Sequence, residues 1–114
     1  MGLTDLAEDR ADAALRALAE PRRRAILRLV SGQERSAGEI AAEFDVTRPA
    51  ISQHLTVLKE ADLVTERRDG ARRLYLARGD GLRALRALLD DLWGAGLARG
   101  AELAEAEGEP KGTS

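Results

Sequence analysis

Residues 36–77 read SAGEIAAEFDVTRPAISQHLTVLKEADLVTERRDGARRLYLA, and the order of elements within this stretch decides the fold. Ser36 stands three residues before Glu39, the spacing of a capping box, which predicts a short helix running to about Phe44. Ile40, Ala41 and Phe44 supply its apolar face, and Asp45-Val46 turns the chain. Thr47 is an N-cap residue, with Pro49 in the first turn of a second helix that ends near Asp62. Leu63, Val64 and Thr65 read as a strand, Asp69-Gly70 as a hairpin turn, and Arg73 to Ala77 as the returning strand. Two short helices joined by a tight turn, the second leading at once into a β-hairpin, describe a winged helix-turn-helix.

Upstream, PRRRAILRLV predicts a helix that opens on Pro21, where a missing N–H is harmless, and stops at Ser31-Gly32. Before it, residues 5–19 place Leu6, Ala7, Ala11, Ala14, Leu15 and Leu18 near helical spacing. Downstream, a long helix over roughly 80–106 carries Leu82, Leu85, Leu89, Leu92, Trp93 and Leu97 as an apolar stripe. The expected fold is therefore mainly α with a small β-hairpin, in the order four helices, two strands, one helix. Residues 1–106 read as a single domain around a core module at about 21–78, with 107–114 a polar, disordered tail.

Composition narrows the function. The 114 residues are 44% apolar and 33% charged, with no cysteine and one histidine, His54. Disulfides, thiolate metal sites and thiol redox sensing are excluded. No apolar run approaches the roughly 18 residues of a membrane span, and no secretory leader is legible, so the expected compartment is the cytoplasm. A catalytic role finds no support: there is no Cys nucleophile, second histidine or glycine-rich phosphate loop. The net charge of −2 hides a pattern, because residues 1–20 and 79–114 each carry −3 while residues 21–78 carry +4. A basic middle between acidic ends suits a module that faces nucleic acid.

The second helix of the pair can be phased at about 100° per residue. Ile51, Leu55 and Leu58 then fall on one side and anchor it to a core. Pro49, Ser52, Gln53, Thr56 and Glu60 lie opposite, with Arg48 and Lys59 on one border and His54 on the other. Arg can bridge both acceptors of guanine, Gln can pair doubly with adenine, and Ser can contact either. A polar helix face alone is ordinary solvation. Beside it, however, Arg67, Arg68, Arg72 and Arg73 cluster around the hairpin tip, where guanidinium groups suit phosphates or a minor groove. Charge on an edge strand also guards against aggregation, but the two features adjoining point together to DNA.

The neighbouring residues are open to more than one reading. His54 can meet a phosphate or hydrogen-bond locally, and Arg22, Arg23 and Arg24 can touch a DNA backbone or simply be solvated. Leu6, Leu15 and Leu18 of the first helix, with Leu82, Leu85, Leu89, Leu92 and Trp93 of the last, read as a homodimer interface. Ala7, Ala11 and Ala14 would let another helix approach closely. The rival function is a winged-helix module for protein–protein contact, which small polar residues fit poorly because interfaces favour aromatic anchors.

The runs LAEPRRRAILRLV (18–30), SAGEIAAEFDVTRPAISQHLTVLKEADLV (36–64) and RRDGARRLYLA (67–77) together resemble the ArsR family of bacterial winged-helix repressors. The likeness covers roughly residues 15–78, and SxxEIA, SQHLxxLxxAxLV and RxGxxxxY are specific in combination. It implies a dimeric repressor bound to an imperfect palindrome in double-stranded DNA, acting on its own or neighbouring genes and released by a small-molecule inducer of unknown identity. By position it assigns DNA reading to Arg48, Pro49, Ser52 and Gln53; the helical phase adds Thr47, His54, Thr56 and Lys59 as further expected DNA contacts. Many members sense metals through cysteine pairs or His and Asp ligands, and this chain departs from that pattern. Asp90 and Asp91 point about 100° apart on a helix, and with Glu102, Glu105 and Glu109 they offer at most a weak oxygen site. The resemblance is therefore to the branch without metal sensing, with no metal and no cofactor expected; a carboxylate-type metal-responsive repressor is the lesser alternative.

Overall fold

The computed structural model describes residues 3–107. Its elements are α1 (Leu3–Leu18), α2 (Pro21–Gly32), β1 (Arg35–Ser36), α3 (Ala37–Phe44), α4 (Arg48–Glu60), β2 (Val64–Asp69), β3 (Arg72–Ala77) and α5 (Asp80–Glu107). The tail expected at 107–114 lies, beyond Glu107, outside the described residues.

The winged helix-turn-helix is present, with one strand more than the sequence suggests. The three strands form an antiparallel sheet in the order β1-β3-β2. β1 is only Arg35 and Ser36, paired with Tyr75 and Leu74. Two residues are too short to show an alternating pattern, so local reading gives no sign of such a strand. In the hairpin, Val64 pairs with Ala77 and the ladder continues to Asp69 opposite Arg72. The two-residue loop is therefore Gly70-Ala71, one position later than the expected Asp69-Gly70. Gly70 has φ +66° and Ala71 is not left-handed, the pattern of a type II′ turn.

Ile26, Val30, Ile40, Ile51, Leu55, Leu58, Leu63 and Val64 are essentially inaccessible to solvent and form the centre of the core. They come from α2, α3, α4 and the base of the hairpin, so the reading helix is fixed by the same side chains that hold the fold together. Ala11, Ala14 and Ala17 bury their face of α1 within this chain, where small side chains let helices pack closely. Two arginines read as possible DNA contacts instead close α1. Arg23 donates from Nε to the Ala17 carbonyl (2.7 Å), and Arg24 donates from Nη1 to that of Leu18 (2.7 Å). Cations at orphan C-terminal carbonyls stabilise a helix end. The third, Arg22, lies over the Phe44 ring at 5.1 Å.

The start of α5 is seated directly on the end of α4. Asp62 takes a left-handed conformation (φ +59°), and its carbonyl accepts from the Gly81 N–H at 2.9 Å. A Cβ on Gly81 would collide with the Ala61 carbonyl oxygen, so this contact requires glycine.

Candidate nucleic-acid interface

The approach to the reading helix is set by local hydrogen bonds. Glu39 N–H donates to Ser36 Oγ (3.1 Å) and Ser36 N–H to Glu39 Oε1 (2.8 Å), completing the capping box at α3. At the other end Asp45 is left-handed (φ 54°) and its N–H reaches the Ala41 and Ala42 carbonyls. Asp tolerates that conformation better than most residues, and the chain reverses there. Thr47 Oγ1 then accepts from the Ala50 N–H (3.3 Å), and α4 begins.

Ile51, Leu55 and Leu58 are buried on the inner side of α4, as the helical phase requires. Thr47, Arg48, Pro49, Ser52, Gln53, Thr56 and Lys59 are all exposed. Thr56 is partly occupied, because its hydroxyl donates to the Ser52 carbonyl (2.9 Å). His54 stands apart from this group. Its Nδ1 is 3.5 Å from Arg23 Nη1 and its Nε2 is 3.6 Å from Glu20 Oε1, so it faces the α1–α2 junction.

The wing brings Arg67, Arg68, Arg72 and Arg73 to the surface, but not in one electrostatic state. Arg67 holds Glu34 with two hydrogen bonds, of 2.6 and 2.8 Å. Arg72 meets Glu39 at 3.3 Å, and Arg73 meets Glu66 at 3.2 Å. Glu66 also accepts from Lys59 Nζ at 2.6 Å, which ties the end of α4 to the wing. The hydrogen bond from Arg67 holds the Glu34 carboxyl below its ordinary range, and that from Lys59 does the same for Glu66. Among the described residues, Arg48 and Arg68 form no ion pair. Glu34 and Glu66 carry no sign of these partners in the sequence, where Arg67 stands 33 positions from Glu34, and Glu39 is marked there as a capping residue and not as a partner of the wing.

Between α3, α4 and the wing lies a polar cleft of about 570 Å³. Ser36, Gly38, Arg48, Ser52, Arg72 and Arg73 contribute to its walls, and no carboxylate does. It has the size and charge for a backbone phosphate beside the base-reading face.

The terminal helices carry the other large surface feature. Leu6, Leu15, Leu82, Leu89, Leu92 and Trp93 are the exposed large hydrophobic side chains among the described residues. The two remaining members of the expected interface differ. Leu85 is buried in the core of this chain, and Leu18 packs half-buried against it. The side chain of Leu97 and those of Glu102, Glu105 and Glu109 fall outside the described residues. Among the described residues, no three His, Asp or Glu side chains are gathered where they could hold a metal ion. Among the described residues, no helix is long and apolar enough to cross a membrane.

A sequence profile described as a helix-turn-helix domain matches residues 18–67. The HTH-type transcriptional regulator Rv2034 of Mycobacterium tuberculosis is 45% identical over 98 residues, which span 86% of this chain and 92% of that one. An ArsR-like transcriptional regulator from Rhodococcus sp. RHA1 superposes with a TM-score of 0.75 at 25% identity, covering 87% and 93% of the two chains. The homodimeric winged helix-turn-helix DNA-binding domain Mb0332 of Mycobacterium bovis, described as a possible ArsR-family regulator, superposes at 0.66 with 30% identity, covering 82% and 87%. The chain belongs to the ArsR family. As an ArsR-family protein it is a DNA-binding transcriptional regulator and not an enzyme. The α3–α4 pair and most of β2 fall inside the matched helix-turn-helix segment, while the wing tip and α5 lie beyond it.

Proposed function

We propose that this ArsR-family protein is a dimeric cytoplasmic repressor of its own or neighbouring genes, working as one unit over residues 1–106. In this reading α4 enters the major groove of an imperfect palindrome. Arg48, Pro49, Ser52 and Gln53 meet base edges, flanked by Thr47, Thr56 and Lys59, while Arg67, Arg68, Arg72 and Arg73 contact backbone or minor groove. The observation that carries it is the polar cleft lined together by Arg48 and Ser52 of α4 and by Arg72 and Arg73 of the wing, in which Arg48 forms no ion pair among the described residues while Arg72 and Arg73 each meet a glutamate. Base-reading and phosphate-holding groups then share one surface, as direct readout requires. His54 is left to the α1–α2 junction.

Dimerisation is supported by the exposed leucines and Trp93 of α1 and α5, a group of large apolar side chains of the kind that marks protein–protein contact. A two-fold dimer would present two α4 helices to half-sites about one helical turn of DNA apart. The lack of cysteine in the sequence supports reading the protein as a member of the branch that does not sense metals.

A retardation assay with the protein's own upstream DNA tests the proposal. Salt-sensitive, sequence-preferring binding is expected, and no binding at micromolar protein would overturn it. Sedimentation tests the dimer: Leu89→Glu with Leu92→Glu is expected to give a folded monomer that has lost most operator affinity. A wild-type monomer at working concentration would remove the basis for palindrome reading.

A further inference from the structure

Besides the polar cleft, the chain contains another cavity, of about 400 Å³, that shares no lining residue with it. Its apolar lining comes from Leu18, Leu27, Leu63, Ala77 and Leu82, which belong to the end of α1, to α2, to the base of the hairpin and to the start of α5. Arg24, Arg28 and Arg78 complete the walls with Ser31 and Gly79, and no carboxylate is among them. That volume lies within the range of small-molecule sites, which combine an apolar body with a few placed polar groups. The three arginines differ in availability. Arg24 donates to the Leu18 carbonyl, and Arg78 is held by Asp80 and Asp62. Arg28 forms no ion pair among the described residues. An open apolar groove whose lining includes an unpaired guanidinium and no acid complements a ligand with an apolar body and an anionic head.

The walls also coincide with a mechanical joint. The Arg78 N–H donates to the Leu63 carbonyl (2.8 Å), and one residue away the Gly81 N–H donates to Asp62 (2.9 Å). The first bond extends the base of the hairpin, and the second fastens the start of α5 to the segment that follows α4. A ligand wedged between Leu63, Ala77 and Leu82 bears on this joint, so a shift there is passed to both the reading helix and the apolar helix.

We propose that this cavity binds a small amphipathic carboxylate, and that its occupancy changes the affinity of α4 for DNA. The output rests on the DNA-reading function above; the ligand site does not. Decanoate is the probe and decanol its neutral counterpart, added to the full chain and followed by methyl NMR. Saturable binding with shifts centred on Leu18, Leu27 and Leu82 is expected. Arg28→Glu should weaken decanoate roughly tenfold or more while leaving decanol unchanged, since a charged hydrogen bond is lost. Arg28→Lys should retain binding. At saturating decanoate the dissociation constant for upstream DNA should change about tenfold, within the usual range of coupling between sites.

Several results would overturn the proposal. These are no saturable binding, shifts centred on Leu89 and Leu92 instead, or equal decanoate affinity in Arg28→Glu. Exclusion of decanoate from the dimer but not from a monomeric variant would make the cavity an intersubunit contact. Binding in the cavity with unchanged DNA affinity would remove the effector role. Should the unliganded protein fail to retard DNA, the DNA-reading function falls, and the methyl shifts still decide the cavity.

Discussion

The outer face of α4 and the wing beside it are both basic in sequence, yet they differ in what their charges are doing. Among the described residues Arg48 on α4 forms no ion pair, whereas Arg67, Arg72 and Arg73 on the wing each meet a glutamate. Arg68 alone on the wing resembles Arg48 in this respect. A count of arginines therefore overstates the charge on offer to phosphates. Each paired guanidinium must exchange a carboxylate for a phosphate oxygen, so its net gain on DNA is the difference between two charged hydrogen bonds. The free ones make their gain outright.

The largest expected effect lies on the α4 side. Arg48→Ala or Gln53→Ala should each weaken operator binding by about 1–3 kcal/mol and leave non-specific binding less changed, the result of losing one base contact. Competition titrations with operator and scrambled duplexes measure both affinities. Equal losses on the two DNAs would mean that α4 holds backbone rather than bases, and the contrast between the regions would disappear. Arg72→Ala should instead weaken both DNAs.

Next comes the free wing residue. Arg68→Ala should lower affinity for every duplex alike and reduce the slope of log affinity against log salt by about one. A sequence-dependent loss would move Arg68 from phosphate contact to minor-groove reading.

How legible this division was depends on distance along the chain. The capping box at Ser36–Glu39, the Thr47 cap and the Ile51-Leu55-Leu58 anchor are signals within one or two turns, and the structure has each where the spacing puts it. The exposed stripe on α1 and α5 was readable for the same reason, since helical period alone places Leu89 and Leu92 together. Its limit shows at Leu85 and at the alanines of α1, which periodicity groups with the stripe but which the chain buries itself. What escaped was long-range. β1 exists only because β3 passes beside it, and His54 is drawn to Glu20 and Arg23 by the packing of α4 on the α1–α2 junction. Arg23 and Arg24 become helix caps because the turn at Glu20-Pro21 brings α2 back to the end of α1. Of the glutamates that hold the wing, Glu39 is legible only as a cap, and Glu34 and Glu66 carry no mark in the sequence that separates them from solvated acids.

That last group gives the smallest and most discriminating test. Glu34 and Arg67 form an exposed, bidentate pair, and solvent screens such pairs so that they add little to folding; removing either partner should barely move the melting temperature. Their effects on DNA should have opposite signs. Arg67→Ala should reduce the salt slope by less than Arg68→Ala does, because part of its charge is already spent on Glu34. Glu34→Gln should release Arg67 and raise affinity for all duplexes slightly, steepening the salt slope. In the double variant Glu34→Gln with Arg67→Ala, the rise should vanish. If Glu34→Gln still raises affinity without Arg67, the glutamate acts on DNA directly by repulsion, and the pairing seen on the wing is not what sets its charge. If Arg67→Ala and Arg68→Ala change the slope equally, the exchange of carboxylate for phosphate has no measurable penalty, and paired and free arginines on this surface are equivalent toward DNA.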